Sequence, residues 1–194
     1  MRTDAAADSE ILYERAMRII SGKYGGRQIV PPRNLRARPT TDFAKENLFN
    51  VLNNMVDYEQ SDVLDLFAGT GSISYEFASR GVRSVTSVEI NAVHYNFIKQ
   101  TFKQLGCENA YAVKANAFLY VKSCAKSFDV IFSDAPYDLE GSEQIIDMVL
   151  DGGLLKDDGI LIFEHSGRKD FSMKKGFWQS RSYGSVHYSF FKKG

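Results

Sequence analysis

Residues 62–81 read DVLDLFAGTGSISYEFASRG, and the rest of the chain is organised around them. The segment opens on the apolar run 63–67, which indicates a buried parallel strand. Small residues come next, where the backbone can turn tightly and approach a ligand. Ile73 and Phe77 lie four residues apart and predict one face of a helix, which ends at Gly81. Such a strand, glycine turn and helix favour a nucleotide-type pocket, although plain tight turns use the same residues.

Outward from this segment, strands and helices alternate. Further strands are predicted at residues 84–89, 110–114, 128–133 and 159–165, and further helices at 91–105, 116–124 and 141–150. Thr41 or Asp42 caps a helix before the first strand, and residues 177–192 predict a closing antiparallel hairpin that turns near Gly184. The alternation predicts an α/β fold with a doubly wound, mostly parallel sheet and right-handed crossovers.

The N-terminal part divides into two smaller units. Residues 1–16 are expected to be an extension ahead of the fold, and residues 17–30, MRIISGKYGGRQIV, predict a small β-hairpin. With the basic connector that follows, the hairpin forms a unit at 17–40 before the main domain at 41–194. Because a two-stranded hairpin is marginal alone, it must pack on the main domain or on a partner.

Composition limits the class of protein. The chain has 194 residues, 44% of them apolar, which is enough for one core, and its formal net charge of zero argues against a generally basic nucleic-acid-binding protein. The charge is unevenly placed: residues 1–38 hold eight Lys or Arg against four acids, and residues 168–194 hold seven against one. Basic ends allow a local phosphate-binding face, while ordinary solvated charge explains the same distribution.

The cysteines, the histidines and the apolar runs argue against a metal site and against membrane association. Cys107 and Cys124 lack metal-type spacing and the three histidines are scattered, so no metal site is predicted. No apolar run approaches membrane-spanning length, and the acidic N-terminus is unlike a secretory signal. We therefore expect a cytoplasmic protein with free thiols and no membrane association.

Polar residues lie in or directly after the predicted strands. Glu89 ends a strand 24 residues after Asp65, where it can accept hydrogen bonds from ribose hydroxyls or cap the next helix. Asn116 follows the next strand and could hold an adenine edge through its amide, or only cap the helix after it. Asp65 lies inside an apolar strand, so its carboxylate needs donors, either the amides of the glycine turn or a ligand.

The tetrapeptide Asp134-Ala135-Pro136-Tyr137 comes directly after the predicted buried strand DVIFS. Asp134 and the carbonyl oxygen of Ala135 could accept from both hydrogens of an amine on a planar ring, and Tyr137 could stack on that ring. Pro136 would fix the backbone that aims these acceptors. A polar turn after a strand uses similar residues, but the order DLFAGTG, Glu89, DAPY favours a site that acts on nitrogen.

DLFAGTG, Glu89 and DAPY in this order resemble the Rossmann-type methyltransferases that use S-adenosylmethionine to modify exocyclic or amide nitrogens. More narrowly, MRIISGKYGGRQIV, RPTTDFAKENLFNVL and DLFAGTGSISYEFASRG resemble the bacterial 16S ribosomal RNA guanine-N2 methyltransferases of the RsmD type. The resemblance runs from about Met17 to the closing hairpin, and its most specific block is residues 38–49. Ala135 departs from the family's usual proline, and Asn116 from its usual aspartate.

The resemblance implies a seven-stranded sheet and transfer of a methyl group from S-adenosylmethionine to the N2 amine of a guanine. The partner would be 16S ribosomal RNA or an assembling small ribosomal subunit, and the enzyme would act as a monomer without a metal. The implied catalytic residues are Asp134, Ala135, Pro136 and Tyr137. The implied cofactor-binding residues are Asp65, Phe67, Ala68, Gly69, Thr70, Gly71, Glu89 and Asn116. The implied RNA-binding residues are Arg18, Lys23, Arg27, Arg38 and Thr40.

Three alternatives stay open. A methyltransferase of DNA adenine or of protein glutamine would share the nitrogen-accepting tetrapeptide. A nicotinamide dehydrogenase would share the glycine turn, but its fingerprint has a third glycine where Tyr75 or Glu76 stands here. A non-catalytic RNA-binding module would keep the basic hairpin and would not bind the cofactor.

Overall fold

The computed structural model describes residues 16–32, 35 and 41–193. The expected extension up to residue 15 and the predicted RNA-binding residues Arg38 and Thr40 lie outside the described residues.

The described strands and helices alternate as the sequence predicts. The strands are β1 (Met17–Arg18), β2 (Gln28–Ile29), β3 (Asp62–Leu66), β4 (Ser84–Glu89), β5 (Ala110–Lys114), β6 (Phe128–Ser133), β7 (Leu155–His165), β8 (Phe177–Tyr183) and β9 (Val186–Phe191). The helices are α1 (Asp42–Leu52), α2 (Ser72–Ser79), α3 (Ala92–Leu105), α4 (Ala117–Ser123) and α5 (Gln144–Asp151). Thr41 caps α1 by accepting from the Ala44 amide. None of the helices described here has the length and apolar content needed to cross a membrane.

Seven strands form one sheet in the order β5-β4-β3-β6-β7-β9-β8. The first five pair in parallel, and β9 runs antiparallel between β7 and β8. One face is covered by α1, α2, α3 and the N-terminal hairpin, and the other by α4 and α5. The doubly wound sheet and its closing hairpin are thereby confirmed. The strand order reverses beside β3, and sheets of this kind bind ligands in the crevice at the carboxyl ends of the two strands concerned, here β3 and β6.

Two predicted bounds were wrong. β7 begins at Leu155 rather than Gly159, because a register shift against β6 accommodates the charged residues between them. α5 begins at Gln144 rather than at residue 141, because Gly141 has a φ of 72°, outside the helical region.

The N-terminal hairpin, formed by β1, β2 and the turn between them, packs along α2. Met17 and Tyr24 are buried in the same core as α1 and α2. The Ser79 hydroxyl at the end of α2 accepts from the Tyr24 amide at 2.9 Å and donates to the Ser21 carbonyl at 2.5 Å. Gly22 touches this helix so closely that a Cβ on it would lie 2.0 Å from the Ser79 carbonyl oxygen. The predicted hairpin is confirmed, and it packs on the main domain.

A buried ion pair joins the hairpin to both helices. Lys45 of α1 and Glu76 of α2 are 3.4 Å apart, and both side chains are at most 1% exposed. Lys45 also donates to the Arg18 carbonyl, and Glu76 accepts from the Ile20 amide and pairs with Arg80. Because removing one partner of such a pair typically costs about 3–5 kcal/mol, the hairpin and the helix after the glycine turn are energetically coupled.

Candidate active site

The loop after β3 leaves the sheet in a strained turn. Phe67, Gly69 and Gly71 have positive φ angles of 59°, 56° and 81°. A positive φ is unusual for a bulky residue such as Phe67 and strains the backbone there. A Cβ on Gly71 would lie 2.7 Å from the Tyr75 ring, whereas a Cβ on Gly69 would meet only the Phe67 carbonyl oxygen, at 3.9 Å. Gly71 is thus required by packing, and Gly69 leaves open space where a ligand can approach the backbone.

Glu89, buried at the end of β4, is held by backbone amides. Its Oε2 accepts from the Gly69 amide at 2.8 Å, and its Oε1 accepts from the Asn91 amide at 2.7 Å. Asn91, and not Glu89, caps α3 by accepting from the amides of Val93 and His94. The carboxylate is therefore fixed beside the glycine turn, with lone pairs left for the hydroxyls of a ribose.

The donor to Asp65 comes from α2 and not from the glycine turn. The Ser74 hydroxyl donates to Asp65 Oδ2 at 2.5 Å and lies 2.6 Å from the Ser87 hydroxyl. Burial raises the pKa of Asp65 to about 7; the hydrogen bond from Ser74 opposes the rise, and the charges of Asp134 and Glu89 add to it. From the sequence, we expect the turn amides or a ligand to donate to Asp65. The structure corrects this, because the hydrogen-bond donor is the Ser74 hydroxyl.

Asn116 lies at the carboxyl end of β5 and caps α4, since its Oδ1 accepts from the Leu119 amide at 3.2 Å. Its side-chain nitrogen carries two further donors that suit an adenine edge. Apolar groups lie along this edge of the sheet: the rings of Phe67 and Phe118 meet edge-on at 5.9 Å, and Ile90 is 61% exposed. Sequence reasoning missed Ile90, although its position directly after Glu89 was a signal. An exposed aliphatic side chain here suits the flat face of a purine.

The Asp-Ala-Pro-Tyr turn leaves β6 on the other side of the crevice. Because β3 and β6 pair in parallel and end together at Leu66 and Ser133, Asp134 and the glycine turn both follow at the same edge of the sheet. Ala135 is buried, and the Pro136 carbonyl accepts from the Leu139 amide at 2.9 Å, which closes the turn. The Tyr137 side chain is 47% exposed, so its ring is available to a substrate.

A second carboxylate, Glu164, lies beside this turn and was missed by sequence reasoning. The Tyr137 hydroxyl donates to Glu164 Oε1 at 3.3 Å. Ser133 of β6 pairs with Phe163 of β7, so Asp134 and Glu164 follow at neighbouring positions. Both lie near Tyr188, whose pKa is raised by burial and by the charges of these two carboxylates. The available signal was an acid placed directly after the apolar run ILIF, where Glu89 and Asp134 also end their strands.

The described members of the predicted RNA-binding set follow the length of α2. Arg18 is exposed and pairs with Asp42 of α1 at 3.2 Å, and its neighbour Met17 contacts Thr70, just before the start of α2. Lys23 and Arg27 lie 5.4 and 5.3 Å from the centre of the Tyr24 ring, near the other end. An eight-residue helix is roughly 12 Å long, so the three cations form a strip and not a cluster.

Within the part of the chain that the structure describes, no group of His, Cys, Asp and Glu side chains is arranged to hold a metal ion. Cys107 and Cys124 are free cysteines.

Proteins of known structure share this architecture. The Escherichia coli protein yhhF aligns with a TM-score of 0.79 at 27% identity, over 92% of this chain and 99% of its own. The Thermus thermophilus 16S rRNA N2 G1207 methyltransferase RsmC aligns with a TM-score of 0.71 over 92% of this chain and 50% of its own, and at 18% identity this shows a common fold. The fold is that of the Rossmann-like methyltransferase class.

Sequence comparison narrows the class to one family. A family model described as Conserved hypothetical protein 95 matches residues 17–192. The ribosomal RNA small subunit methyltransferase D of Haemophilus influenzae is 34% identical over 152 residues, which cover 76% of this chain and 78% of that protein. The chain belongs to this family, that of the ribosomal RNA small subunit methyltransferase D proteins.

Proposed function

We propose that this protein transfers a methyl group from S-adenosylmethionine to the exocyclic N2 of a guanine in 16S ribosomal RNA. The observation that carries the proposal is the position of Asp134 and the Ala135 carbonyl, one strand from the glycine turn at the crevice. The names of the relatives support the RNA substrate, and the RsmC structure was solved in complex with AdoMet and guanosine.

The residues around the crevice fit the cofactor. Gly69 leaves open space at the turn, Glu89 presents a fixed carboxylate for the ribose hydroxyls, and Asn116 presents amide donors for adenine. Ile90 and Phe118 supply apolar surface on the same edge. When bound, S-adenosylmethionine supplies an electrophilic methyl group on a positively charged sulfur.

The tetrapeptide prepares the amine that attacks. The N2 lone pair of guanine is delocalised into the ring, so the amine is a poor nucleophile. Asp134 and the Ala135 carbonyl can accept from its two hydrogens and favour a tetrahedral nitrogen. The carboxylate also stabilises positive charge that develops on that nitrogen and is placed to take the proton that the methylated amine loses. Holding the reacting atoms in line can supply roughly 7–11 kcal/mol in addition.

The RNA has to present an unstacked base. A guanine flipped into the crevice would stack on the exposed Tyr137 ring. The strip of Arg18, Lys23 and Arg27, with Arg38 and Thr40 of the connector, would hold the neighbouring backbone. Residues 17–40 would thus act as the RNA-binding unit and 41–194 as the catalytic domain of a monomer, which meets 16S RNA or an assembling small subunit in the cytoplasm.

Radiolabelled S-adenosylmethionine offered to three acceptors tests this function. The acceptors are small ribosomal subunits from a strain that lacks the gene, duplex DNA, and total protein. We expect label in 16S RNA alone, and N2-methylguanosine as the labelled nucleoside after digestion. Label in DNA adenine or protein glutamine would overturn the proposal in favour of another nitrogen methyltransferase, and an absence of label in all three would favour a binding module.

A further inference from the structure

The carboxylate of Glu164 lies in the substrate cleft without a part in the chemistry described above. It lines an open cleft together with Ala135, Tyr137 and His165. The residue is 5% exposed, so the carboxylate is largely withdrawn from water. Burying a carboxylate beside a second one, Asp134, is unfavourable unless donors are supplied to both.

The sheet fixes the direction in which Glu164 faces. Asp134, directly after β6, flanks it on one side, and Tyr188 lies opposite it on β9. Tyr188 is fully buried and lies beside Glu164, on the side away from Asp134. Tyr137 reaches over from the tetrapeptide and donates its hydroxyl to Oε1. The carboxylate is therefore oriented next to the acceptors for the amine and beside the ring that would hold the base.

Guanine presents two kinds of donor side by side on its Watson–Crick edge, the N2 amine and the N1–H. Asp134 and the Ala135 carbonyl account for the amine, which leaves the N1–H facing the neighbouring position. A donor buried there without an acceptor would weaken binding considerably. Resting on the proposed function, we infer that Glu164 determines specificity by accepting the N1–H of the target guanine.

Nucleoside analogues separate this role from a structural one. 2,6-Diaminopurine riboside keeps the N2 amine but carries a lone pair at N1, which a carboxylate repels. Glu164→Gln keeps the shape of the side chain and offers an amide donor that suits this lone pair. Tyr137→Phe is the matched control, because it removes the same hydrogen bond but leaves the carboxylate in place.

The test measures the affinities of guanosine and 2,6-diaminopurine riboside by calorimetry, with S-adenosylhomocysteine present. The wild type should prefer guanosine by roughly 10- to 100-fold, Tyr137→Phe should keep this preference, and Glu164→Gln should abolish or reverse it. A wild type without preference, or a Glu164→Gln variant with the wild-type ratio, would overturn the inference. Methyl transfer to 16S RNA by the wild type is measured in parallel, so that failure of the proposed function is recognised separately.

Discussion

Asp134 and Tyr137 are assigned different parts of the proposed chemistry, and single substitutions can separate them. Asp134→Asn keeps the shape and one acceptor oxygen but removes the negative charge that favours a developing cation on nitrogen. We expect the single-turnover rate at saturating RNA to fall by roughly 10²-fold or more, with cofactor affinity nearly unchanged. Tyr137→Ala should instead weaken RNA binding, by roughly 1–3 kcal/mol for a lost stacking surface. If Asp134→Asn methylates at the wild-type rate, the proposed acceptor role of the tetrapeptide is wrong and it serves only as a turn.

The open space at Gly69 allows a clean test of the cofactor site. Gly69→Ala places a methyl group where the turn is open, and it forces a left-handed conformation that costs about 1–2 kcal/mol for alanine. Gly81→Ala is the matched control, since Gly81 also has a positive φ of 81° and no neighbour within 4 Å of an added Cβ. Both variants should lose similar stability.

Only Gly69→Ala should bind S-adenosylhomocysteine more weakly, by roughly tenfold or more in a calorimetric titration. If the two variants bind S-adenosylhomocysteine with equal affinity, the glycine turn is not part of the cofactor site. Gly71→Val is a poorer probe, because its side chain would collide with Tyr75 and disturb the fold itself.

Asp65 gives the protein a distinctive dependence of stability on pH. Its folded-state pKa of about 7 lies above the ordinary value of 3.8. At pH values between these two, Asp65 is therefore protonated in the native state and ionised in the unfolded state. The contribution of Asp65 to the free energy of unfolding is therefore complete below about pH 4 and is lost as the pH rises to about 7. Relative to wild type, Asp65→Asn should gain about 4 kcal/mol between pH 4 and pH 8, measured by urea denaturation.

Asp62, at the other end of β3, should show the opposite behaviour. A hydrogen bond from Arg83 lowers its pKa to about 2, so its contribution is present above about pH 4 and is lost as the pH falls towards 2. Asp62→Asn should therefore differ from wild type mainly above pH 4. A difference between Asp65→Asn and wild type that does not change with pH would contradict the burial of a titrating Asp65.

At the scale of elements, the docking of the hairpin on α2 is open to a matched pair of glycine substitutions. Gly22 and Gly26 both have positive φ, 85° and 82°, and both lie in the hairpin turn. An alanine at Gly22 would collide with the Ser79 carbonyl, whereas at Gly26 it would meet nothing within 4 Å. Gly22→Ala should lower the free energy of unfolding by roughly 2 kcal/mol more than Gly26→Ala, because the hydrogen bonds through Ser79 would be lost.

Amide hydrogen exchange shows where in the protein Gly22→Ala loses stability. The Tyr24 amide, which donates to Ser79, should exchange faster in Gly22→Ala and remain protected in Gly26→Ala. Similar stability and protection in the two variants would mean that the hairpin does not depend on this contact. Deleting the first 44 residues is a less informative experiment, because it removes the Ile20 and Tyr24 amides that donate to Glu76 and Ser79 and so disturbs α2 as well.

At the scale of the whole molecule, much of the sheet could be predicted from the sequence because its strands are short apolar runs with clear ends. β4, β5 and β6 have the predicted bounds. The helix faces were less certain. In α3 the apolar side chain of Val93 is 42% exposed, since the buried part of the helix begins further along, at Ile98. In α1 the apolar spacing of the sequence continues to Met55, whereas the helix itself ends at Leu52.

What could not be predicted depends on contacts between residues far apart in the chain. Neither local pattern nor composition pairs Lys45 with Glu76, or orients Tyr137 towards Glu164, because these contacts arise only when the strands and helices are assembled. The same holds for Asp65, whose donor Ser74 lies across the glycine turn. The motifs predicted which strand ends meet at the crevice, and the assembled fold determines which side chains there are already engaged.

The most direct test of the central claim is the amount of N2-methylguanosine in 16S ribosomal RNA, measured by mass spectrometry after digestion. Deleting the gene should remove one N2-methylguanosine per 16S RNA, supplying the wild-type chain should restore it, and supplying a folded Asp134→Ala variant should not. An unchanged N2-methylguanosine content in the deletion strain, or full restoration by Asp134→Ala, would contradict the account.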